Sequence, residues 1–184
     1  MKQMLLIIFI MLNANVYLQA DTEDTVGVMK YYDEAYAYEN GKGLKVDKKK
    51  AEFLYKKACD GGNMKACFNL GMMYSYGYGI KVSKRKAEGL YYKTCKNGYL
   101  DGCYNLGVMY SSGDGIGQNT KAAKKVYAKA CNGGIKNACF NLALIYYKDV
   151  NIKDKSLAKK LFFKGCDLGD NDSCKNYKIL NKEY

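Results

Sequence analysis

Apolar residues recur along most of this chain at helical spacing, and the recurrence itself repeats after 36, 36 and 35 residues. Four segments, Ala51–Cys59, Ala87–Cys95, Ala123–Cys131 and Ala158–Cys166, align without a gap. In the first, Ala51, Leu54, Tyr55, Ala58 and Cys59 fall at i, i+3, i+4, i+7 and i+8. These positions form one face of a helix and leave Glu52, Lys56 and Lys57 toward water. Gly62, Gly98, Gly134 and Gly169 each stand three residues past a cysteine. A glycine there accepts the left-handed conformation of a C-terminal cap, so each segment is predicted to end at it. A second helix follows each glycine, patterned on Ala66-Cys67-Phe68-Asn69-Leu70-Gly71, Gly102-Cys103-Tyr104-Asn105-Leu106-Gly107 and Ala138-Cys139-Phe140-Asn141-Leu142-Ala143. Small residues at 66, 102, 138 and 173, and again at 71, 107 and 143, let backbones approach closely where hairpins stack. The chain is therefore read as all-α, one helical hairpin copied about four times.

The eight cysteines make four pairs, each with seven residues between partners. Cys59–Cys67, Cys95–Cys103, Cys131–Cys139 and Cys166–Cys174 is the pairing that repeats with the array and joins the end of one helix to the start of its antiparallel neighbour. A disulfide closing so short a loop contributes roughly 2.5 kcal/mol in the chain-entropy model. A hairpin too small to bury its own apolar face gains from such a staple. Residues 25–50 match a second helix without cysteines, a half repeat, followed by repeats over 51–86, 87–122, 123–157 and 158–184.

Ahead of the array, Lys2, the nine-residue apolar run Met4–Leu12 and a polar stretch to Ala20 have the order of a secretory signal peptide over residues 1–20. The run is too short for a bilayer core that needs about twenty apolar residues. Cutting after Ala20 leaves an array over 21–184 in an oxidising space, secreted or periplasmic, with no membrane span and a monomer expected. Lys2 is the only charge removed, so the formal charge falls from +12 to +11. The cations are spread through every repeat. Together with secretion, this disfavours nucleic acid; the cations are read first as solvated helix faces, and as partners an anionic wall polymer, lipid headgroups or an acidic protein face fit best. The chain has no histidine, which removes the usual base for serine and cysteine nucleophiles and the commonest zinc ligand. No metal and no cofactor is expected.

The pattern A-x-x-L/V-Y/F-x-K-x-C, then G, A/G-C-x-N-L-G/A-x-x-Y and G-x-G-I, resembles Sel1-like repeats, relatives of tetratricopeptide repeats. With the cysteine spacing and the leader, the chain resembles the Helicobacter cysteine-rich protein family in particular. The resemblance implies a right-handed α/α superhelix, a solenoid of hairpins each stapled by a disulfide. It also implies a β-lactamase or penicillin-binding label, with binding and slow hydrolysis of β-lactams and a link to peptidoglycan or host-facing proteins. The expected partners are a peptidoglycan fragment, a β-lactam, or an extended peptide or protein. The alternative, which the residues themselves favour, is a scaffold that binds without catalysis.

The candidate chemistry is sparse. Two S-x-x-K strings, Ser83 to Lys86 and Ser156 to Lys159, carry the first element of a serine β-lactamase, but Ser-Asp-Asn and Lys-Thr-Gly are absent from the sequence. Both serines stand where a helix should begin and are read as N-caps, so no nucleophile is named. Asn69, Asn105, Asn141 and Asn176 recur two residues after the second cysteine, about 200° around the helix from it and away from the partner helix. A ladder of amides along a groove can grip peptide backbone, or it can fix the stacking of hairpins. Tyr38, Tyr74, Tyr110 and Tyr146 share the cysteine-bearing face and are read as core.

Overall fold

A computed structural model describes residues 26–148 and 154–182. The leader over 1–20 and the start of the array lie outside the described residues. Among the described residues there are helices and turns and no strand. Helix α1 covers 26–40. Then come α2 (Lys48–Asp60), α3 (Met64–Tyr76), α4 (Lys84–Lys96), α5 (Leu100–Ser112), α6 (Thr120–Asn132), α7 (Lys136–Lys148), α8 (Lys155–Asp167) and α9 (Asn171–Lys182). No helix among them is long and apolar enough to cross a membrane.

Several helices start on a side-chain cap, and the first helix of each hairpin stops at a glycine. Asp47, Asn119 and Asp154 cap α2, α6 and α8 by accepting the amides of Lys50, Ala122 and Leu157. Ser83 holds the same position before α4, but its hydroxyl makes no capping bond. The predicted stop glycines take φ values of +93°, +85°, +97° and +84° at Gly62, Gly98, Gly134 and Gly169. At the first of them the Gly62 amide donates to the Cys59 carbonyl and the Asn63 amide to the Ala58 carbonyl, which satisfies the last turn of α2.

The chain divides between Cys67 and Phe68 into two compact units. In the first, Ala35, Ala51, Tyr55, Ala58, Cys59, Ala66 and Cys67 are buried, and the Tyr55 hydroxyl donates to Glu39 Oε2 at 2.7 Å. In the second, each helix from α4 to α9 packs on the next, and α5 also touches α7. Its core is built on Tyr91, Tyr127 and Phe162, each at most 1% exposed, from the apolar face of the first helix of each hairpin.

All eight cysteines are paired as the spacing predicts, with Cα–Cα distances of 4.6, 4.5, 4.6 and 4.5 Å. So close an approach leaves little room beside the bridge. The residues just before the two cysteines are Ala58 with Ala66, Thr94 with Gly102, Ala130 with Ala138, and Gly165 with Ser173. Where one partner gains atoms the other lacks them. A Cβ on Gly102 would stand 1.9 Å from Thr94 Oγ1, and one on Gly165 would stand 2.3 Å from Ser173 Oγ. At the stacking face a Cβ on Gly71 or Gly107 would meet the ring of Tyr91 or Tyr127 at 2.8 and 2.6 Å. The small residues are thus the sockets for the core tyrosines.

Candidate functional site

The four asparagines are half-buried, and their amides do not share one partner. Asn141 Nδ2 donates to the Tyr127 hydroxyl at 3.2 Å, and that hydroxyl shares a 3.1 Å hydrogen bond with Ser111 Oγ. Since Tyr127 lies on α6, the Asn141 amide reaches the partner helix of its own hairpin, contrary to the angular expectation. The long Tyr127 side chain carries its hydroxyl across to the short amide of Asn141. One junction earlier, the Tyr91 hydroxyl faces Ser75 and Asn105 but has hydrogen-bond geometry to neither, and Asn105 Nδ2 rests on Met72 Sδ at 3.5 Å. In the last hairpin Phe162 has no hydroxyl to offer, Tyr147 stands where Ser111 would be, and Asn176 donates to the Asp172 carbonyl at 2.8 Å. Desolvation by burial raises the pKa of both Tyr91 and Tyr127, so both phenols stay neutral well into alkaline pH.

A groove of about 830 Å³ opens along this junction between α5, α6 and α7. Tyr104, Val108 and Leu144 give it apolar walls, while Ser111, Thr120, Asn141 and Lys148 bring polar groups to it. The equivalent hollow one repeat earlier, around Ser75, Tyr91 and Asn105, measures only about 40 Å³ and is lined in addition by Tyr76 and Asp114. Ser112 stands where Tyr76 would be, so the second junction loses a ring and gains space. Asn141 was marked in the sequence; Tyr104, Ser111 and Tyr127 were not. The 36-residue echo of Ser75 at Ser111 and of Tyr91 at Tyr127 was the signal available.

Within the tyrosine stripe Tyr74 belongs to the core as its helical position implies, while the other three are less buried. Tyr74 is 9% exposed, and Tyr38, Tyr110 and Tyr146 are half-buried. Lysine ammoniums cover three of these rings, Lys50 over Tyr38 at 5.1 Å, Lys86 over Tyr74 at 4.6 Å and Lys124 over Tyr146 at 5.2 Å. Tyr38 and Tyr146 form a rim beside the core and Tyr74 lies at the core's edge, each screened by a lysine stem.

Neither serine is a bonded cap. Ser83 is an N-cap in position only. Ser156 is the second residue of α8, whose N-cap is Asp154, because the acid two positions earlier accepts the amide of Leu157. Ser156 borders a hollow of about 330 Å³ with Lys159, Lys160, Phe163 and Tyr177. Among the described residues no group of three metal-ligating side chains converges.

The Sel1 repeat model matches residues 31–63, 65–99, 100–135 and 136–170, most of the chain. No curated protein matches it. A Sel1 repeat protein from Oxalobacter formigenes superposes with a TM-score of 0.73 at 27% identity, covering 79% of this chain and 59% of its own. Helicobacter pylori cysteine rich protein B gives 0.55 at 31% identity, covering 74% of this chain and 98% of its own. A protective antigen of uropathogenic Escherichia coli displaying an SLR fold gives 0.78 at 19% identity over 89% of this chain and 36% of its own, a likeness of fold alone. Repeat register, helix pairing and one disulfide for every hairpin point the same way: the chain is a cysteine-rich member of the Sel1 repeat family.

Proposed function

We propose that the protein is a secreted or periplasmic binding scaffold that holds an extended peptide, free or as the stem of a peptidoglycan fragment, in the groove between α5, α6 and α7. The observation that carries this reading is the lining itself. Tyr104, Val108 and Leu144 offer apolar area, and Asn141 and Ser111 offer amide and hydroxyl groups within one cleft of about 830 Å³. Extended peptide needs this mixture, alternating side-chain contact with backbone hydrogen bonds. Four disulfides suit an oxidising, extracytoplasmic compartment. The leader over residues 1–20 belongs to the same reading.

A second reading, slow β-lactam hydrolysis, has one specific observation in its favour. Ser156 stands one helical turn before Lys159 at the edge of a hollow shared with Tyr177. The experiment compares the oxidised protein with Val108→Glu/Leu144→Glu and Ser83→Ala/Ser156→Ala variants. Sedimentation with purified peptidoglycan should be lost in the groove variant and kept in the serine variant, with turnover of a chromogenic cephalosporin at the blank rate in all three. Wild-type turnover above the blank that disappears in the serine variant overturns the scaffold reading and makes the protein an enzyme.

A further inference from the structure

In the second unit, Tyr110 is covered by no lysine among the described residues, unlike Tyr38, Tyr74 and Tyr146. Lys50 and Lys86 cover Tyr38 and Tyr74, and the next position in that series, 36 residues on, is Ala122. Lys124 covers Tyr146, and the residue 36 positions before it is Glu88. Both places from which a lysine would reach Tyr110 are therefore changed, one to a methyl and one to a carboxylate. The Tyr110 hydroxyl donates to Glu88 Oε1 at 3.1 Å, and the two groups line a polar hollow of about 390 Å³. Arg85 and the Gly115-Ile116-Gly117 turn complete that lining. Arg85 is the only arginine of the chain, against 29 lysines, and among the described residues no ion pair reaches it.

We infer that this hollow binds a free α-amino acid, its ammonium placed between Glu88 and the Tyr110 ring and its carboxylate on the Arg85 guanidinium. The chemistry of each group selects the zwitterion. A carboxylate hydrogen-bonded to a phenol whose ring no lysine of the described residues covers is a site for a primary ammonium. A guanidinium fork matches a carboxylate in two parallel hydrogen bonds, which a lysine cannot do. Arg85 and Glu88 stand three residues apart on α4 and so share one face, at the spacing of side-chain neighbours. Ile116 is the aliphatic contact offered to the ligand's side chain. Burial and the neighbouring Glu88 raise the Tyr110 pKa, which keeps its hydroxyl available as a donor to that carboxylate. The hollow is separate from the groove around Asn141, and the inference does not rest on the scaffold reading.

Amide NMR spectra of the oxidised full chain, titrated with glycine, D-alanine, L-leucine and L-lysine, test it. At least one should shift the amides of Gly115, Ile116, Gly117 and Asn119, and its N-acetyl and C-terminal amide forms should each bind about tenfold more weakly. Arg85→Gln should reduce the free acid to the affinity of its amide and leave the amide unchanged. Glu88→Gln should do the same with respect to the N-acetyl form. Ala122→Lys restores the lysine found at 50 and 86, so it should lower affinity about tenfold while the melting temperature holds. The inference fails if none of the four probes moves these amides at millimolar concentration, if blocked forms bind as well as free ones, or if Ala122→Lys binds like the parent.

Discussion

The pairing of small residues beside each disulfide makes a quantitative claim at Thr94 and Gly102. Alanine at 102 would set its Cβ 1.9 Å from Thr94 Oγ1, 2.8 Å from Thr94 Cβ and 3.2 Å from the Cys95 amide nitrogen. The disulfide holds the two helices 4.5 Å apart at the adjoining Cα atoms, so they cannot separate to make room. Overpacking of this kind costs typically 1–3 kcal/mol, roughly. Replacing a helical glycine returns about 1 kcal/mol. Gly102→Ala should then destabilise by up to about 2 kcal/mol despite the better helix former. Thr94→Ala alone removes the hydroxyl that donates to the Tyr91 carbonyl at 2.9 Å and leaves a void, for a loss of about 1 kcal/mol. The double variant reproduces the Ala–Ala arrangement already present at Ala58 with Ala66 and Ala130 with Ala138. It should match or slightly exceed the parent, giving a favourable coupling of about 1–3 kcal/mol. Urea denaturation of the oxidised proteins, followed by circular dichroism, measures all four corners of the cycle. Additive losses in the double variant would refute the argument that the two positions share one volume.

Three further outcomes follow from the core and the staples. Asn141→Ala removes the donor to the Tyr127 hydroxyl, so stability should fall by about 1 kcal/mol, whereas Asn176→Ala, whose amide meets only its own helix, should fall by less; thermal melts compare them. The folded pKa values of Tyr91 and Tyr127 are raised, so their contribution is complete below the unfolded value of about 10 and is lost as pH rises above it. Alkaline unfolding should therefore track the appearance of tyrosinate absorbance, and Tyr127→Phe should flatten the decline. Peptide mapping without reductant should return four intra-hairpin bridges, and replacing Cys131 and Cys139 by alanine should cost about 2.5 kcal/mol, read as a lower urea midpoint.

Much of the architecture was legible because it repeats. Stop glycines, apolar faces and cysteine pairs each occur several times in equivalent places, so each occurrence checks the others. What the sequence concealed were departures from the repeat that matter only in three dimensions. Ser112 in place of Tyr76 opens a groove, and Phe162 in place of a tyrosine releases Asn176 to its own helix. Helical angles put Tyr74 and its counterparts on the cysteine-bearing face, yet that face ends in a lysine-covered rim. The angle of a Cα does not report how far a long side chain reaches. Ser156 lies near a helix start, where a serine suggests a cap, but the acid two positions earlier has the better geometry.

Each disulfide lies within one hairpin and spans a sequence separation of 8, with its Cα atoms only 4.5–4.6 Å apart. Fully extended, such a segment would reach about 27 Å at ~3.4 Å per residue. Under tension the oxidised chain therefore withholds about 20 Å of contour at every staple, and load passes through the sulfur bridge instead of the intervening turn. Pulled from its ends, the array can lose its stacking and still retain four knots of folded length, which only reduction releases.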